Sequence, residues 1–161
     1  MLAANTIRLA SRHHTFCVQH FDRAAGRRVF FASAMTMLQK QSSEGTSYLE
    51  LTEFLQRNGN PATLRADLAQ LFRRVVFNVA VGNRDDHLRS HGFLLELGGW
   101  RLAPAFDVNS NIDKADHVLN LDDTDNRPKI ATVFATADFY GLSESQATVI
   151  LKEVKAATDR W

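Results

Sequence analysis

Leu64, Leu68, Leu71, Phe72, Val75, Val76 and Val79 recur at three- and four-residue intervals, and this stripe constrains the fold more than any other feature of the chain. A helix with so broad an apolar face has to be covered there, which places it at the centre of a packed domain. Asn60-Pro61 is positioned to start it, with Pro at the first helical position, and Gly82 to end it. Other segments must supply the cover. Ser47 and Glu50 have capping-box spacing, and Tyr48, Leu51, Phe54 and Leu55 follow at helical intervals as far as Gly59. Ser143 and Gln146 repeat the box ahead of Ala147, Ile150, Leu151, Val154 and Ala157. A helix near Ile130 to Tyr140 and a short one capped by Ser33 and running through Leu38 complete the helical set.

The first part of the chain reads differently. Thr6 to Ala10 alternates, with Ile7 and Leu9 on one side, as a half-buried strand would. Thr15 to Phe21 reads as a second strand, and Arg28 to Phe31, after a turn at Gly26, as a third. Phe93 to Leu97 and Trp100 to Leu102 flank Gly98-Gly99, a two-residue hairpin signal. Asn109 to Arg127 is polar and loop-like. The expected fold class is therefore α+β and mainly α-helical, with a few N-terminal strands and one small β-hairpin. No repeat or linker divides the chain, so 1–161 reads as one domain.

Composition sets outer bounds on function. At 45% hydrophobic over 161 residues the chain can bury a sizeable core. Nineteen Lys and Arg face eighteen Asp and Glu, which leaves no field that argues for direct nucleic-acid binding. One cysteine, Cys17, excludes an internal disulfide framework and suits a reducing compartment; within its apolar strand it is expected to be packed. No run is long and apolar enough for a membrane span, and Arg8 and Arg12 interrupt any signal-peptide core. The expectation is a cytoplasmic protein.

Chemistry concentrates between Gly82 and Asp107. Asp85 opens a polar loop, Asn83-Arg84-Asp85-Asp86-His87-Leu88-Arg89-Ser90-His91, and Asp107 follows the hairpin twenty-two positions later. The hairpin would bring the ends of this segment together. Two carboxylates held close repel one another unless a cation lies between them, and a hard divalent ion with oxygen ligands is the natural occupant. Phosphoryl transfer needs this arrangement, with a carboxylate to orient the attacking hydroxyl and oxygen ligands for magnesium. Asp85 and Asp86 also fit a plainer reading, as helix caps or surface partners of Arg84 and Arg89. His87 and His91, four apart, suggest a transition-metal pair only if a third ligand exists. The run Asp122, Asp123, Asp125 lacks the glycine and terminal glutamate of a calcium loop and reads as solvated.

The segment from Phe77 to Asn109, FNVAVGNRDDHLRSHGFLLELGGWRLAPAFDVN, resembles the signature of the HipA-like serine/threonine kinases, toxins of bacterial toxin–antitoxin pairs. Its parts are a G-N-x-D-D-H loop, a hairpin ending G-W-R-L-x-P, and an F-D-V segment. Val18 to Arg23 resembles the family's hinge strand, Ser33-Ala34-Met35 the segment after it, and the C-terminal helices ending in Trp161 also fit. The resemblance implies a C-terminal kinase lobe, with 1–31 as strands left from the upper lobe plus the hinge and 32–161 as the helical lobe. It implies ATP and Mg2+ as cofactors. Asp85 matches the catalytic aspartate, His87 the loop histidine beside the phosphates, and Asp107 the magnesium ligand. Gln19, His20 and Phe21 match the hinge whose backbone meets the adenine. Family members phosphorylate protein hydroxyls, an aminoacyl-tRNA synthetase among them, and are held by a DNA-binding, HipB-like antitoxin.

Two departures bear on activity. Ser90 stands five positions after Asp85, where the family has a magnesium-binding Asn; a hydroxyl is the weaker ligand, with water or His91 as replacement. No lysine precedes Lys40, and only the last strands of an upper lobe fit before Phe21, so most of the ATP grip is expected to be missing. A truncated product, a fragment and one piece of a split toxin all fit that expectation. The alternative to a kinase lobe is a non-catalytic interaction module that binds an antitoxin or a complementary lobe.

Overall fold

A computed structural model describes residues 4–10 and 12–159; the expected C-terminal position of Trp161 lies outside them. The apolar stripe forms the longest helix, Leu64–Val81, buried along Leu68, Leu71, Phe72, Val75 and Val76. It begins later than Asn60-Pro61 predicts. Asn60 is committed elsewhere: its N–H donates to the Trp100 carbonyl at 2.9 Å, and its Oδ1 accepts from Ala62 N at 3.0 Å. That local turn outcompetes a first helical turn.

In chain order the strands are β1 (Ala4–Arg8), β2 (His14–Val18), β3 (Arg23–Ala24), β4 (Arg27–Arg28), β5 (Phe31–Ser33), β6 (Gly92–Glu96) and β7 (Gly99–Leu102). The helices are α1 (Ala34–Met37), α2 (Tyr48–Asn58), α3 (Leu64–Val81), α4 (Ile130–Ala135) and α5 (Glu144–Thr158), with a 3-10 turn at Ala137–Tyr140. The class is α+β, as the pattern predicts. Helix α3 is the hub, packing against α2, α4, α5, the 3-10 turn and β7. Tyr48, Leu51, Leu55, Phe93, Leu119, Leu121, Val133 and Tyr140 close the core around it.

The caps behave as predicted, with one exception. Ser33 accepts from Thr36 N, and Ser143 with Gln146 forms a reciprocal box. Ser47 accepts from Leu49 N, but Glu50 leaves the box to pair with Lys40 at 2.7 Å. The helix expected over Ile130 to Tyr140 breaks at Thr136, whose hydroxyl donates to the Val133 carbonyl at 2.9 Å.

Strands β5, β6 and β7 form an antiparallel sheet in that order, with Ala32 opposite Phe93 and Phe93 opposite Leu102. Glu96 pairs with Gly99, so the hairpin loop is Leu97-Gly98, one residue earlier than the Gly98-Gly99 signal suggests. Gly99 is needed inside the strand instead: a Cβ there would lie 2.8 Å from Asn60 N and 2.9 Å from the Asn58 carbonyl. The third predicted strand divides. Arg23–Ala24 and Arg27–Arg28 form a tiny hairpin across Ala25 and Gly26, both at positive φ, and Phe31–Ser33 joins the main sheet. The β1–β2 hairpin is exposed along most of its length, so Ile7 and Leu9 are not half-buried; they are 40% and 60% exposed. Cys17 within it is a half-buried free thiol.

Candidate functional site

Gly82 ends α3 in the left-handed conformation at φ 67°, and the polar loop is then tied back to the last turn of the helix. Asn83 N–H donates to the Asn78 carbonyl at 2.9 Å and its side chain to Asn78 Oδ1 at 3.1 Å. Asp86, buried, is the fixed point of the loop. Three donors converge on its Oδ2: the Tyr48 hydroxyl at 2.5 Å, Asn78 Nδ2 at 2.6 Å and His91 Nε2 at 2.7 Å. Arg74 reaches His91 Nδ1 at 3.1 Å and the Ala103 carbonyl at 2.7 Å. A guanidinium can only donate, so His91 Nδ1 accepts and the ring proton sits on Nε2, facing Asp86.

Burial alone would raise the Asp86 pKa. The contacts with His91 and Tyr48 and the charge of Arg74 outweigh it and hold the carboxyl below its ordinary value. Burial and the Asp86 charge push the Tyr48 hydroxyl well above its ordinary range, so Tyr48 remains a donor. The loop is also fastened to α1 and to the segment before α2, by Ala34 N to the His91 carbonyl (2.9 Å) and Leu88 N to Ser43 Oγ (3.0 Å).

On this support His87, Ser90 and Asp107 come together. His87 Nδ1 lies 2.9 Å from Ser90 Oγ, and that hydroxyl donates to Asp107 Oδ2 at 3.3 Å. A hydroxyl whose one proton goes to Asp107 has to accept from His87, which places the imidazole proton on Nδ1. Asp107 is exposed and sits at φ 55°, the left-handed region that a non-glycine residue enters at a cost of about 1–3 kcal/mol. Phe106, beside it, stacks on Phe21 (centroids 5.5 Å apart) and meets Phe31 edge-on at 5.9 Å. This aromatic group holds Phe21, expected at the hinge, next to the Asp107 turn. Gln19 and His20 are exposed, with His20 Nδ1 3.5 Å from Asp22.

Asp85 is exposed and ion-paired with Lys114 rather than with Arg84 or Arg89. The plainer reading of Asp86 as a surface residue is also corrected, because Asp86 is 3% exposed and fully engaged. His91, 0% exposed and held at both ring nitrogens, is no candidate to replace the missing Asn, and it shares no partner with His87. Among the described residues no group of three or more His, Cys, Asp or Glu gathers as metal ligands. Magnesium does not require one, since it is commonly held by one or two carboxylates with substrate phosphates and water. Asp107 and Ser90 fit that role by donor chemistry: both offer hard oxygens, 3.3 Å apart, and the Ser90 hydroxyl keeps one open acceptor position. The acidic run is a turn, in which Asp122 Oδ1 accepts from Thr124 N and Asp125 N, and Asp125 pairs with Arg127.

The sequence reading named neither the buried network nor Lys114. One signal for the network exists: Arg74 and Asn78, four apart, interrupt a helix whose neighbours Leu71 and Val75 are apolar. Polar residues set into a buried face need partners, and the adjoining loop is where they lie.

Comparison with known proteins decides the family. The HipA-like C-terminal domain family matches the chain over residues 1–161. The chain belongs to that family. No curated protein matches this HipA-like domain in sequence. Among solved structures it is similar to HipA of the Shewanella oneidensis MR-1 toxin–antitoxin system, determined with HipB and its operator DNA, at TM-score 0.78 and 18% identity. The match covers 99% of this chain and 43% of that one, so the HipA-like domain spans less than half the length of its structural neighbour. At that identity the likeness is one of fold. No helix among the described residues is long and apolar enough to cross a membrane.

Proposed function

We propose that this HipA-like domain is the magnesium-handling lobe of a kinase that moves the γ-phosphoryl group of ATP to a serine or threonine hydroxyl of a protein. The observation that carries the reading is the Ser90 hydroxyl joining His87 to Asp107 across seventeen residues of sequence, at the loop where the family motif lies. In the transfer the acceptor oxygen bonds to phosphorus, the bond to the β-phosphate bridging oxygen breaks, and ADP leaves. Asp85 orients the acceptor hydroxyl and receives its proton. Asp107 and Ser90 would hold the metal, which when bound would neutralise charge on the phosphates. His87 lies beside those phosphates, and the Gln19–Phe21 backbone meets the adenine edge. A HipB-like protein is the proposed partner and makes the DNA contact; this chain does not bind nucleic acid directly.

A second reading has its own support. Ser90 is a weaker ligand than Asn, and the β1–β2 hairpin leaves Phe16 (68% exposed) and Val18 (44%) uncovered, as a surface for a complementary lobe or antitoxin would. Titration with ATP and magnesium separates the two, using the chain alone and with an upper lobe from a HipA-like protein added. Magnesium-dependent binding that Asp107→Ala weakens at least about tenfold supports the kinase lobe. No binding in either mixture, or binding indifferent to Asp107→Ala, leaves the interaction module.

A further inference from the structure

Lys114 is held at Asp85 by more than its own side chain. Arg84, the residue before Asp85, donates through Nη1 to the carbonyls of Ile112 (3.2 Å) and of Lys114 itself. Asn111 N–H donates to the Gly82 carbonyl at 2.8 Å, and Val118 N–H to the Arg84 carbonyl at 3.2 Å. The 111–118 segment is thus fastened to the polar loop on both sides of Lys114, and the ammonium is delivered to the Asp85 carboxylate. A tether of this kind is more than a structural ion pair requires. Both partners are about half exposed, so water screens the pair and its own contribution to stability is small.

We propose, resting on the kinase reading, that Lys114 binds the terminal phosphate of the nucleotide, and that Asp85 holds it in place until the phosphate arrives. Asp85 alone would repel a polyphosphate, and a cation on it removes that repulsion. An ammonium carries three donors, so Lys114 can keep Asp85 and take a phosphate oxygen together. The transferring group spreads negative charge over its equatorial oxygens, where a positioned cation lowers the barrier. The nearby Arg84 commits its Nη1 to the Ile112 and Lys114 carbonyls, which makes it part of the tether.

The test compares magnesium-dependent binding of ATP with that of ADP, which lacks the terminal phosphate. Lys114→Gln is expected to lower affinity for ATP about tenfold while leaving ADP unchanged, and Lys114→Arg to keep most of the preference. Thermal melts confirm that each variant folds, as expected for an exposed side chain. An ATP-to-ADP ratio unchanged in Lys114→Gln overturns the role of Lys114 and leaves the kinase reading standing. Wild-type chain that binds neither nucleotide with magnesium, alone or with the upper lobe of a HipA-like protein added, overturns both.

Discussion

Asp86 accepts three hydrogen bonds at a single buried oxygen, and the shape of the polar loop follows from that. Removing the carboxylate leaves Arg74 buried without its counter-charge, and the Tyr48 hydroxyl and His91 Nε2 without an acceptor. Asp86→Ala should therefore cost about 3–5 kcal/mol in urea unfolding, far more than an exposed Asp85→Ala. His117 gives a pH signature. It is 2% exposed, and among the described residues neither ring nitrogen has a hydrogen-bond partner. Burial lowers its pKa from 6.5, the Arg84 charge adds to that, and Asp86 opposes it. As pH falls below 6.5 the unfolded chain takes up this proton before the folded one, so stability drops on acidification until the folded imidazole also titrates. Asp86, held below 3.8, contributes stability above that value, which is lost as pH falls through its folded pKa. Unfolding free energies between pH 7 and 5 should decline in the wild type and decline less in His117→Phe. Residue types and spacing mark Asp85, His87 and Asp107 as candidates in the sequence. Asp86 was not legible there, because its role depends on which of two adjacent aspartates turns inward, and that is set by Asn78, Tyr48 and His91 from three separate segments.

At the scale of elements, α3, the β6–β7 hairpin and the cap of α5 were legible because each is specified by its own residues. Boundaries were lost wherever a tertiary contact outbid the local pattern. Asn60 prefers Trp100 to a helical turn, Glu50 prefers Lys40 to its box, and Gly99 serves a close approach of backbone rather than a turn. Gly92 shows the same demand at the site. A Cβ there would lie 2.2 Å from Phe31 Cε2 and 2.8 Å from the Ala32 carbonyl. Gly92→Ala should push Phe31 away, cost about 1–3 kcal/mol by denaturant unfolding, and loosen the Phe21–Phe31–Phe106 group that seats Asp107. Unchanged stability in this variant would mean that β5 yields freely, and that the aromatic group does not fix the site.

Over the whole molecule, one packed helical unit carries the loop, and the β1–β2 hairpin projects from it with apolar side chains uncovered. The alternation of Ile7 and Leu9 predicted burial, but periodicity reports only that a face is apolar and leaves open what covers it. In the proposed kinase lobe a single divalent ion would be shared by Asp107 and the loop that carries Asp85. Manganese, a paramagnetic stand-in for magnesium, reports its position through broadening of nearby NMR resonances. With ATP present, the signals of Asp85, His87, Ser90 and Asp107 should broaden together at low manganese, and Asp107→Ala should abolish the effect. Broadening centred elsewhere, for example on the acidic turn at Asp122 and Asp125, would contradict the account.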